Sequence, residues 1–234
     1  DQDAAYLAFQ SGEVDFVLNP LGLKRNALEA LIAQGDVEVI TNQSNGFRYL
    51  AFNTRAGKFP TDNQAFRQAV ACIVDKDYII ESILAGAVIN MDGVMPPALT
   101  SWVSPVQGVL AECNGMNFEE RWNKSISILQ DAGWQADDWG SHPGGAERAI
   151  APTNLRGPNG EAMPSDMLLY APSAGYDPIR STFSLFIADW MQQLGIDAVA
   201  RPTGFSIIVD LILDPETCDE WFLSLIHISE PTRP

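Results

Sequence analysis

Apolar residues along the chain follow two alternating patterns, one with a helical period and one typical of short strands. In the segments 62–73, 75–84 and 117–132 they repeat every three or four positions, as on the buried face of a helix. Shorter apolar runs at 47–53 and 167–171 are typical of strands. Because the two patterns alternate, they predict an α/β domain with a mixed sheet.

The best helical signal lies between residues 177 and 194. Asp177-Pro178 suits the start of a helix, since Asp caps the first turn and Pro needs no backbone hydrogen bond there. The apolar positions that follow at helical spacing are Ile179, Phe183, Phe186, Ile187, Trp190 and Leu194. Gly195 is expected to end this helix, and residues 196–200 are predicted to form the next strand.

The remaining predicted elements are shorter. Helices are expected over 3–10, 26–34 and 203–213, and strands over 14–18, 37–40 and from 220 onward. The predicted helix caps are Asp62, Asp75 and the capping box of Asn117 with Glu120. Residues 90–115 are predicted to be a long loop and residues 135–165 an irregular insertion, because both are rich in Gly, Pro and polar residues.

The chain is strongly acidic. Its net charge is −16, from 30 acidic and 14 basic residues, and no basic run occurs. Nucleic acid and anionic membrane surfaces both attract clustered Lys and Arg, so neither is a predicted partner. Hydrophobic residues make up 46% of the chain, which is enough for a core, and the acidity is interpreted as a contribution to solubility.

The cysteines and histidines give no pattern typical of a metal site. Neither His142 nor His227 lies at ligand spacing from another His or Cys, so no metal and no cofactor are predicted. Cys72 lies in an apolar helical run and is predicted to be a small buried hydrophobic residue. A disulfide between Cys113 and Cys218 is left open.

The sequence lacks the short motifs of common enzyme classes. It holds no Gly-rich phosphate loop and no G-x-S-x-G nucleophile turn. Its adjacent carboxylates, such as Asp137-Asp138, are interpreted as solvated side chains rather than as a catalytic pair. No catalytic residue is therefore predicted, and the protein is not expected to be an enzyme.

Aromatic side chains at strand ends and in loops are the candidates for ligand contact. Tyr49, Trp102, Tyr170 and Tyr176 each combine an apolar ring with a polar atom, as the side chains of binding clefts commonly do. Packing is the alternative role for each of them taken alone.

Four stretches, in order, resemble family-5 extracellular solute-binding proteins, the class that includes oligopeptide-, dipeptide- and nickel-binding proteins. They read AFQSGEVDFVL at 8–18, YLAFNTRAGKFPTDNQAFRQAVACIVDKDYII at 49–80, SISILQDAGW at 125–134, and LRGPNGEAMPSDMLLYAPSAGYDP with IADWMQQLGIDAV within 155–199. Together they span nearly all of residues 1–222.

The resemblance implies a periplasmic-binding-protein-like fold of type II, in which two α/β lobes close on a solute around a hinge. Residues 1–42 would be the C-terminal part of lobe I, and residues 43–222 an incomplete lobe II that begins at the hinge. The implied partners are a small solute, with a peptide as the first expectation, and the permease subunits of an ABC importer. The implied location is extracytoplasmic, with a signal segment and a lipid anchor upstream of residue 1.

The resemblance also implies where a solute binds. It implies that the strand 47–53 lines the cleft, with Tyr49 facing the ligand. The full set of candidate ligand-binding residues is Asn45, Phe47, Tyr49, Trp102, Tyr170, Ser173 and Tyr176. Strand residues alternate between faces, so Tyr49 and Ala51 are expected on one face and Arg48 and Leu50 on the other. Some peptide binders of the family carry Glu where this chain has Ala51, which argues against recognition of a peptide amino group at this position.

The last residues depart from the family pattern. Residues 223–233 read LSLIHISEPTR and resemble the translation of a transposase-based sequencing-library adapter. Residues 223–234 are therefore interpreted as a non-native, adapter-derived tail. The preceding TCDEWFL is interpreted as the entry to a ligand-contacting strand that is cut there.

Two other functions stay open from the sequence alone. An α/β hydrolase-like enzyme could use the same layered architecture, and a solute-sensing receptor or chaperone could use the same cleft. A nucleophile beside a converging base would favour the hydrolase. Permease genes next to the gene for this protein would favour transport over sensing.

Overall fold

The computed structural model describes residues 2–17, 32, 33, 35, 37, 38, 40, 47–84, 86, 88–93, 95, 96, 99–104, 109–145, 147–213 and 223–227. The elements in chain order are α1 (Gln2–Gln10), β1 (Arg48–Phe52), α2 (Gln64–Ile73), α3 (Lys76–Tyr78), α4 (Val109–Glu112), α5 (Phe118–Asp131), β2 (Met167–Pro172), α6 (Pro178–Gln192), β3 (Ala198–Thr203), α7 (Phe205–Leu213) and β4 (Leu223–His227).

The strands in the described ranges form one mixed sheet in the order β1-β4-β2-β3. Strand β1 runs antiparallel to β4, whereas β2 is parallel to both β3 and β4. The register places Ala51, Ser224, Tyr170 and Arg201 in one row across the four strands. The predicted α/β architecture with a mixed sheet is therefore confirmed.

The main core lies between one face of this sheet and helices α2, α5 and α6. Its fully covered apolar side chains include Phe66, Val70, Ile73, Leu129, Leu169, Met191 and Leu194. Each such side chain stabilises the fold by about 1.5–3 kcal/mol through removal of apolar area from water. The apolar stripes predicted over 62–73, 117–132 and 177–194 all face this core, which confirms these three helices.

A smaller apolar cluster lies on the opposite face of the sheet. Helix α7 packs on β2 there, and Ile208 covers the side chain of Tyr170. Alternation along β2 explains the division, because Leu168 and Tyr170 lie on one face while Leu169 and Ala171 lie on the other. Helices therefore cover part of both faces of the sheet.

The helix caps are formed by short polar side chains, as expected, with one correction. The cap of α2 is Asn63, whose side chain accepts a hydrogen bond from the Phe66 N–H at 3.1 Å. Asp62 was the predicted cap, but its carboxylate instead accepts the Gly57 N–H at 3.1 Å and closes the preceding turn. The caps predicted at Asp75, at Asn117 with Glu120, and at Asp177 are confirmed.

Several short elements differ from their predictions. Residues 14–17 form no strand, nor do 37, 38 and 40; a strand needs a hydrogen-bonded neighbour, and the described residues offer these segments none. Of the helix predicted over 26–34, only residues 32 and 33 are described, and both are helical. The helix predicted over 75–84 is α3 continued by a π-helical turn, Ile79–Ile83.

The last strand has a central place in the sheet. Strand β4 is described from Leu223 to His227, and the start predicted at residues 220–222 lies outside the described residues. It lies between β1 and β2. Strand β4 lies within the segment that resembles a translated adapter, and the interpretation of that segment as non-native stays a prediction.

A disulfide joins Cys72 of α2 to Cys113, which directly follows α4. The burial predicted for Cys72 is confirmed, but its interpretation as simply a small hydrophobic residue is corrected, because it forms a disulfide. The physical reason is long-range: the chain returns after residue 84 and places the two Cα atoms 5.5 Å apart, within bonding reach. This pairing also excludes the Cys113–Cys218 bridge; Cys218 lies outside the described residues.

The insertion over 135–165 is irregular, as predicted, and isolated bridge pairs hold it together. It packs on the end of α6, where the Ala149 N–H donates to Gln193 Oε1 at 3.0 Å. Gly195 ends α6 with a φ of +76°, and a Cβ there would lie 2.6 Å from the Pro152 carbonyl oxygen. Among the described helices, none is both long and apolar enough to cross a membrane.

Candidate functional site

The candidate site lies at the edge of the sheet where the parallel strands β2, β3 and β4 end. Strand β1 runs the other way and therefore begins at this edge, with Arg48 opposite His227. Ligands of α/β proteins commonly bind outside the carboxyl ends of parallel strands, because loops rather than packed helices form the surface there. The segments at this edge are residues 47–49, 173–180 and 203–205.

Two aromatic pairs border the edge. The rings of Phe47 and Tyr49 lie 5.6 Å apart, and the rings of Tyr176 and Phe205 are stacked at 5.4 Å with an angle of 9°. A tight turn presents Tyr176, since the Tyr176 N–H donates to the Ser173 carbonyl at 2.9 Å. The side chain of Tyr176 remains 57% exposed, so its ring is open to a binding partner.

A charge cluster of the partly buried Arg48 with the buried Asp177 and Arg180 lies behind these rings. Asp177 caps α6: its Oδ1 accepts the Arg180 backbone N–H at 2.9 Å, and its Oδ2 accepts the Arg180 Nε–H at 2.6 Å. Arg48 Nη2 lies 3.9 Å from the same Oδ2. The Arg180 guanidinium carbon also lies 5.9 Å from the centre of the Phe205 ring. The cluster thus ties β1 to the start of α6 and of α7.

Burial and neighbouring charges shift the pKa values in this cluster. Burial acts to raise the pKa of Asp177, but the Arg180 N–H, the Arg180 guanidinium and the Arg48 charge together hold it below its ordinary value. The pKa of Arg48 is lowered, first by burial and further by the like charge of Arg180, while Asp177 opposes this. Asp177 is therefore ionised at neutral pH.

The arginines of the cluster are not fully satisfied. The Nε of Arg48 and the Nη1 of Arg180 are covered by protein and have no hydrogen-bond partner. The other fully buried arginine of the described residues, Arg121, donates to Asp77 at 2.8 Å and lies 3.7 Å from Asp75. At the sheet edge, the described part of the chain thus places two arginines, Arg48 and Arg180, against the single carboxylate of Asp177.

Four of the sequence-predicted site residues lie at this edge. Phe47 lies just before β1 and Tyr49 lies on it, and Ser173 and Tyr176 lie in the turn after β2. Leu50 packs against the main core, which places Tyr49 on the opposite face of the strand, as expected from alternation.

The other three predicted residues are not brought to the edge. Tyr170 is 6% exposed and packs under Ile208, because α7 folds back over β2. Trp102 is 71% exposed in a turn closed by its own N–H on the Leu99 carbonyl, with no described contact to the edge. Asn45 lies outside the described residues.

Sequence reasoning missed Arg48, Arg180 and Phe205, and it recognised Asp177 only as a cap. One local signal was present for Arg180. A cation three residues after a helix cap opposes the helix dipole, which favours negative charge in the first turn. Such a residue needs a partner, and the capping Asp177 supplies it.

The described residues bring together no group of three His, Cys, Asp or Glu side chains that could hold a metal ion. His142 instead packs against the rings of Phe118 and Trp122, and its Nδ1 accepts the Gly144 N–H at 3.0 Å.

Solved structures identify the fold as that of type II periplasmic binding proteins. One is the oligopeptide-binding protein AppA from Bacillus subtilis in complex with a nonapeptide. The superposition covers all of this chain and 40% of AppA, with a TM-score of 0.67 and 17% identity. NikA from Brucella suis, in complex with Fe(III)-EDTA, matches 97% of this chain and 40% of its own length with a TM-score of 0.64 and 20% identity.

Residues 1–215 match the family of bacterial extracellular solute-binding proteins, family 5 middle, and the chain belongs to that family. Heme-binding protein A from Haemophilus influenzae is 32% identical over 109 residues, which are 46% of this chain and 19% of that protein. The predicted family and fold are therefore confirmed. The chain spans about two fifths of the length of the two solved structures.

Proposed function

We propose that this chain is part of the substrate-binding component of an ABC importer, which captures a small solute, a peptide in the first place, between two lobes. The family match over residues 1–215 carries the proposal, and the open aromatic edge of the sheet supports it. Residues 1–42 belong in this proposal to lobe I and residues 43–222 to lobe II, with the hinge near residues 43–50.

The proposed mechanism is closure of the two lobes around the solute. Open and closed states differ modestly in free energy, and solute favours the closed state through contacts made only when both lobes meet. Phe47, Tyr49, Ser173 and Tyr176 form the lobe II wall of the cleft. One lobe supplies only part of the contacts, so we expect this chain alone to bind no peptide measurably.

The solute is an organic molecule with carboxylate groups. The nonapeptide in the AppA complex and the Fe(III)-EDTA in the NikA complex are chemically different, yet both carry carboxylates. The cation-rich cluster beside the aromatic edge is suited to such a group. Ala51, where some peptide binders carry Glu, removes one candidate for contact with a peptide amino group.

The proposed location is extracytoplasmic, with a signal segment and a lipid anchor in the longer protein. The Cys72–Cys113 disulfide supports this location, because structural disulfides persist in oxidising compartments and are rare in the cytosol. The permease subunits of the importer are the proposed protein partners. A receptor or chaperone role would use the same cleft but would need no permease.

The test uses the longer protein that contains residues 1–222 and a pool of short synthetic peptides. Thermal unfolding is measured with and without the pool. The masses of the peptides are then measured by mass spectrometry, to show whether they are intact or cleaved. We expect a rise in Tm and complete recovery of intact peptides. Cleaved peptides would favour the hydrolase alternative, and an unchanged Tm with intact peptides would overturn the proposed peptide binding.

A further inference from the structure

We propose that the Arg48–Asp177–Arg180 cluster is the place where a carboxylate of the captured solute binds. The proposal rests on the proposed function, because it assigns one group of the solute to one part of the same edge. It starts from a charge imbalance in this cluster, where two arginines share one carboxylate.

The imbalance follows from how Asp177 is used. Its two oxygens accept hydrogen bonds from Arg180, at 2.9 Å to the backbone N–H and at 2.6 Å to Nε. Arg48 Nη2, at 3.9 Å, is too far away for a hydrogen bond. Among the described residues, two guanidinium groups therefore share one carboxylate, and one positive charge is left over in a chain whose net charge is −16.

The unsatisfied donors of Arg48 match the geometry of a carboxylate. In a guanidinium group, Nε and one Nη nitrogen form an edge that binds the two oxygens of a carboxylate side by side. On Arg48 the Nε has no partner and Nη2 makes no hydrogen bond to Asp177. Buried donors without partners cost free energy, and an incoming carboxylate removes that cost.

Arg48 is the member of the cluster that a solute can reach. Its side chain is 21% exposed, whereas Arg180 is 4% and Asp177 2% exposed. Because the Arg48 Nε is covered and Arg48 lies on the face of β1 opposite Tyr49, binding requires this side chain to rotate around the start of β1 toward the cleft. Arg180 stays fixed by Asp177 behind it and adds a second positive charge to the site.

The surrounding rings strengthen the site. The stacked rings of Tyr176 and Phe205 border Arg180, and Phe47 adjoins Arg48 in sequence on the same edge. Apolar borders exclude water, and hydrogen bonds to charged groups are stronger where water is excluded. A solute with an apolar part next to its carboxylate therefore fits both features together.

The test is a side-chain NMR titration of the full 234-residue chain with ¹⁵N-labelled arginine. The probes are N-acetylglycine, which carries a carboxylate at pH 7, and N-acetylglycinamide, which has the same skeleton without the charge, both at equal ionic strength. We expect N-acetylglycine to shift the Nε–H signals of Arg48 and Arg180 saturably, with about fivefold tighter apparent affinity than the amide. The exposed Arg201 of β3 serves as the internal control.

Matched variants separate this site from general charge attraction. Arg48→Gln is expected to abolish the preference for the carboxylate, whereas Arg201→Gln, which removes the same charge elsewhere, is expected to retain it. Asp177→Asn is expected to tighten N-acetylglycine binding, since it removes the competing carboxylate while Asn still caps the helix. If Arg48→Gln does not fold, Arg48→Lys and the titration of the unaltered chain decide the question.

Three results would overturn the assignment. The first is an equal response of all arginines to both probes. The second is unchanged carboxylate preference in Arg48→Gln. The third is that peptides bind the longer protein equally well with and without Arg48→Gln, in which case solute capture stands but the carboxylate binds elsewhere. Conversely, a carboxylate-selective response at Arg48 without peptide binding by the longer protein would refute the proposed function and keep the anion site.

Discussion

Arg121 Nη2 donates a hydrogen bond to the Asp77 carboxylate at 2.8 Å, although the Arg121 side chain is completely buried. Its Nε–H also donates to the Met116 carbonyl at 3.0 Å, and Asp75 lies 3.7 Å away. This one side chain therefore links the start of α3 to α5 across the core. Its burial is tolerated because each of the three guanidinium nitrogens donates a hydrogen bond: Nε to Met116, Nη1 to Cys72 and Nη2 to Asp77.

Replacement of Arg121 by Met should destabilise the protein by about 2 kcal/mol, because it removes the hydrogen bonds that the buried guanidinium donates to the half-exposed Asp77 and to the Met116 carbonyl. Urea unfolding followed by tryptophan fluorescence measures the change. Lys124→Met is the matched control, since Lys124 pairs with Glu112 at the surface. An exposed pair contributes about 0–1 kcal/mol, and equal losses in the two variants would contradict the proposed role of Arg121.

Reduction of the Cys72–Cys113 disulfide should lower stability by about 2–4 kcal/mol, because the cross-link closes a loop with a sequence separation of 41 residues. The same loss is expected in Cys72→Ser, read as a drop in Tm of about 5–10 °C. Cys218→Ser should leave Tm unchanged. A peptide map without reduction that joins Cys113 to Cys218 would show that the assigned pairing is wrong.

The protein should lose stability in acid, in part through Asp177. The folded-state pKa of Asp177 lies below its ordinary value, so its contribution is complete above about pH 4 and is lost as the pH falls through the folded value. Asp177→Asn should cost about 2 kcal/mol at pH 7, as expected for a hydrogen-bonded buried charge. Urea titrations measure the difference in free energy of unfolding between the unaltered protein and Asp177→Asn. This difference should become smaller below pH 4, and a difference that does not depend on pH would refute this role.

Two tyrosines that sequence analysis grouped together should behave differently. Tyr170→Ala should cost about 3 kcal/mol of stability, because the ring is buried under α7. Tyr49→Ala should cost less than about 1 kcal/mol, because its side chain is only partly buried, and should instead weaken solute binding in the longer protein. Urea unfolding and calorimetry of both variants check this, and a larger stability loss for Tyr49→Ala would reverse the assignment.

The amphipathic helices could be predicted from sequence because their signals are local. The stripe that includes Trp122 and Leu129 and the cap at Asp177 each depend on residues within a few positions of one another. The same locality explains why Tyr49 was correctly placed on the face opposite Leu50.

Features that depend on residues far apart in sequence could not be predicted. Cys72 meets Cys113 only because the chain returns after residue 84, and Tyr170 is buried only because α7 folds back over its strand. The excess of positive charge at the sheet edge arises because Arg48 and Arg180, which lie more than half of the chain apart in sequence, both contact Asp177. The sequence around Cys72, Tyr170 and Arg48 does not indicate these contacts, because a tyrosine or a cation within a strand is not unusual.

Calorimetric titration of a peptide into this chain and into the longer protein that contains it tests solute capture between two lobes most directly. We predict one-to-one binding to the longer protein with a Kd of about 1 μM, equivalent to about −8 kcal/mol, and no measurable heat with the 234-residue chain. Absence of binding to the longer protein would contradict solute capture. Equally tight binding to both would contradict the requirement for two lobes.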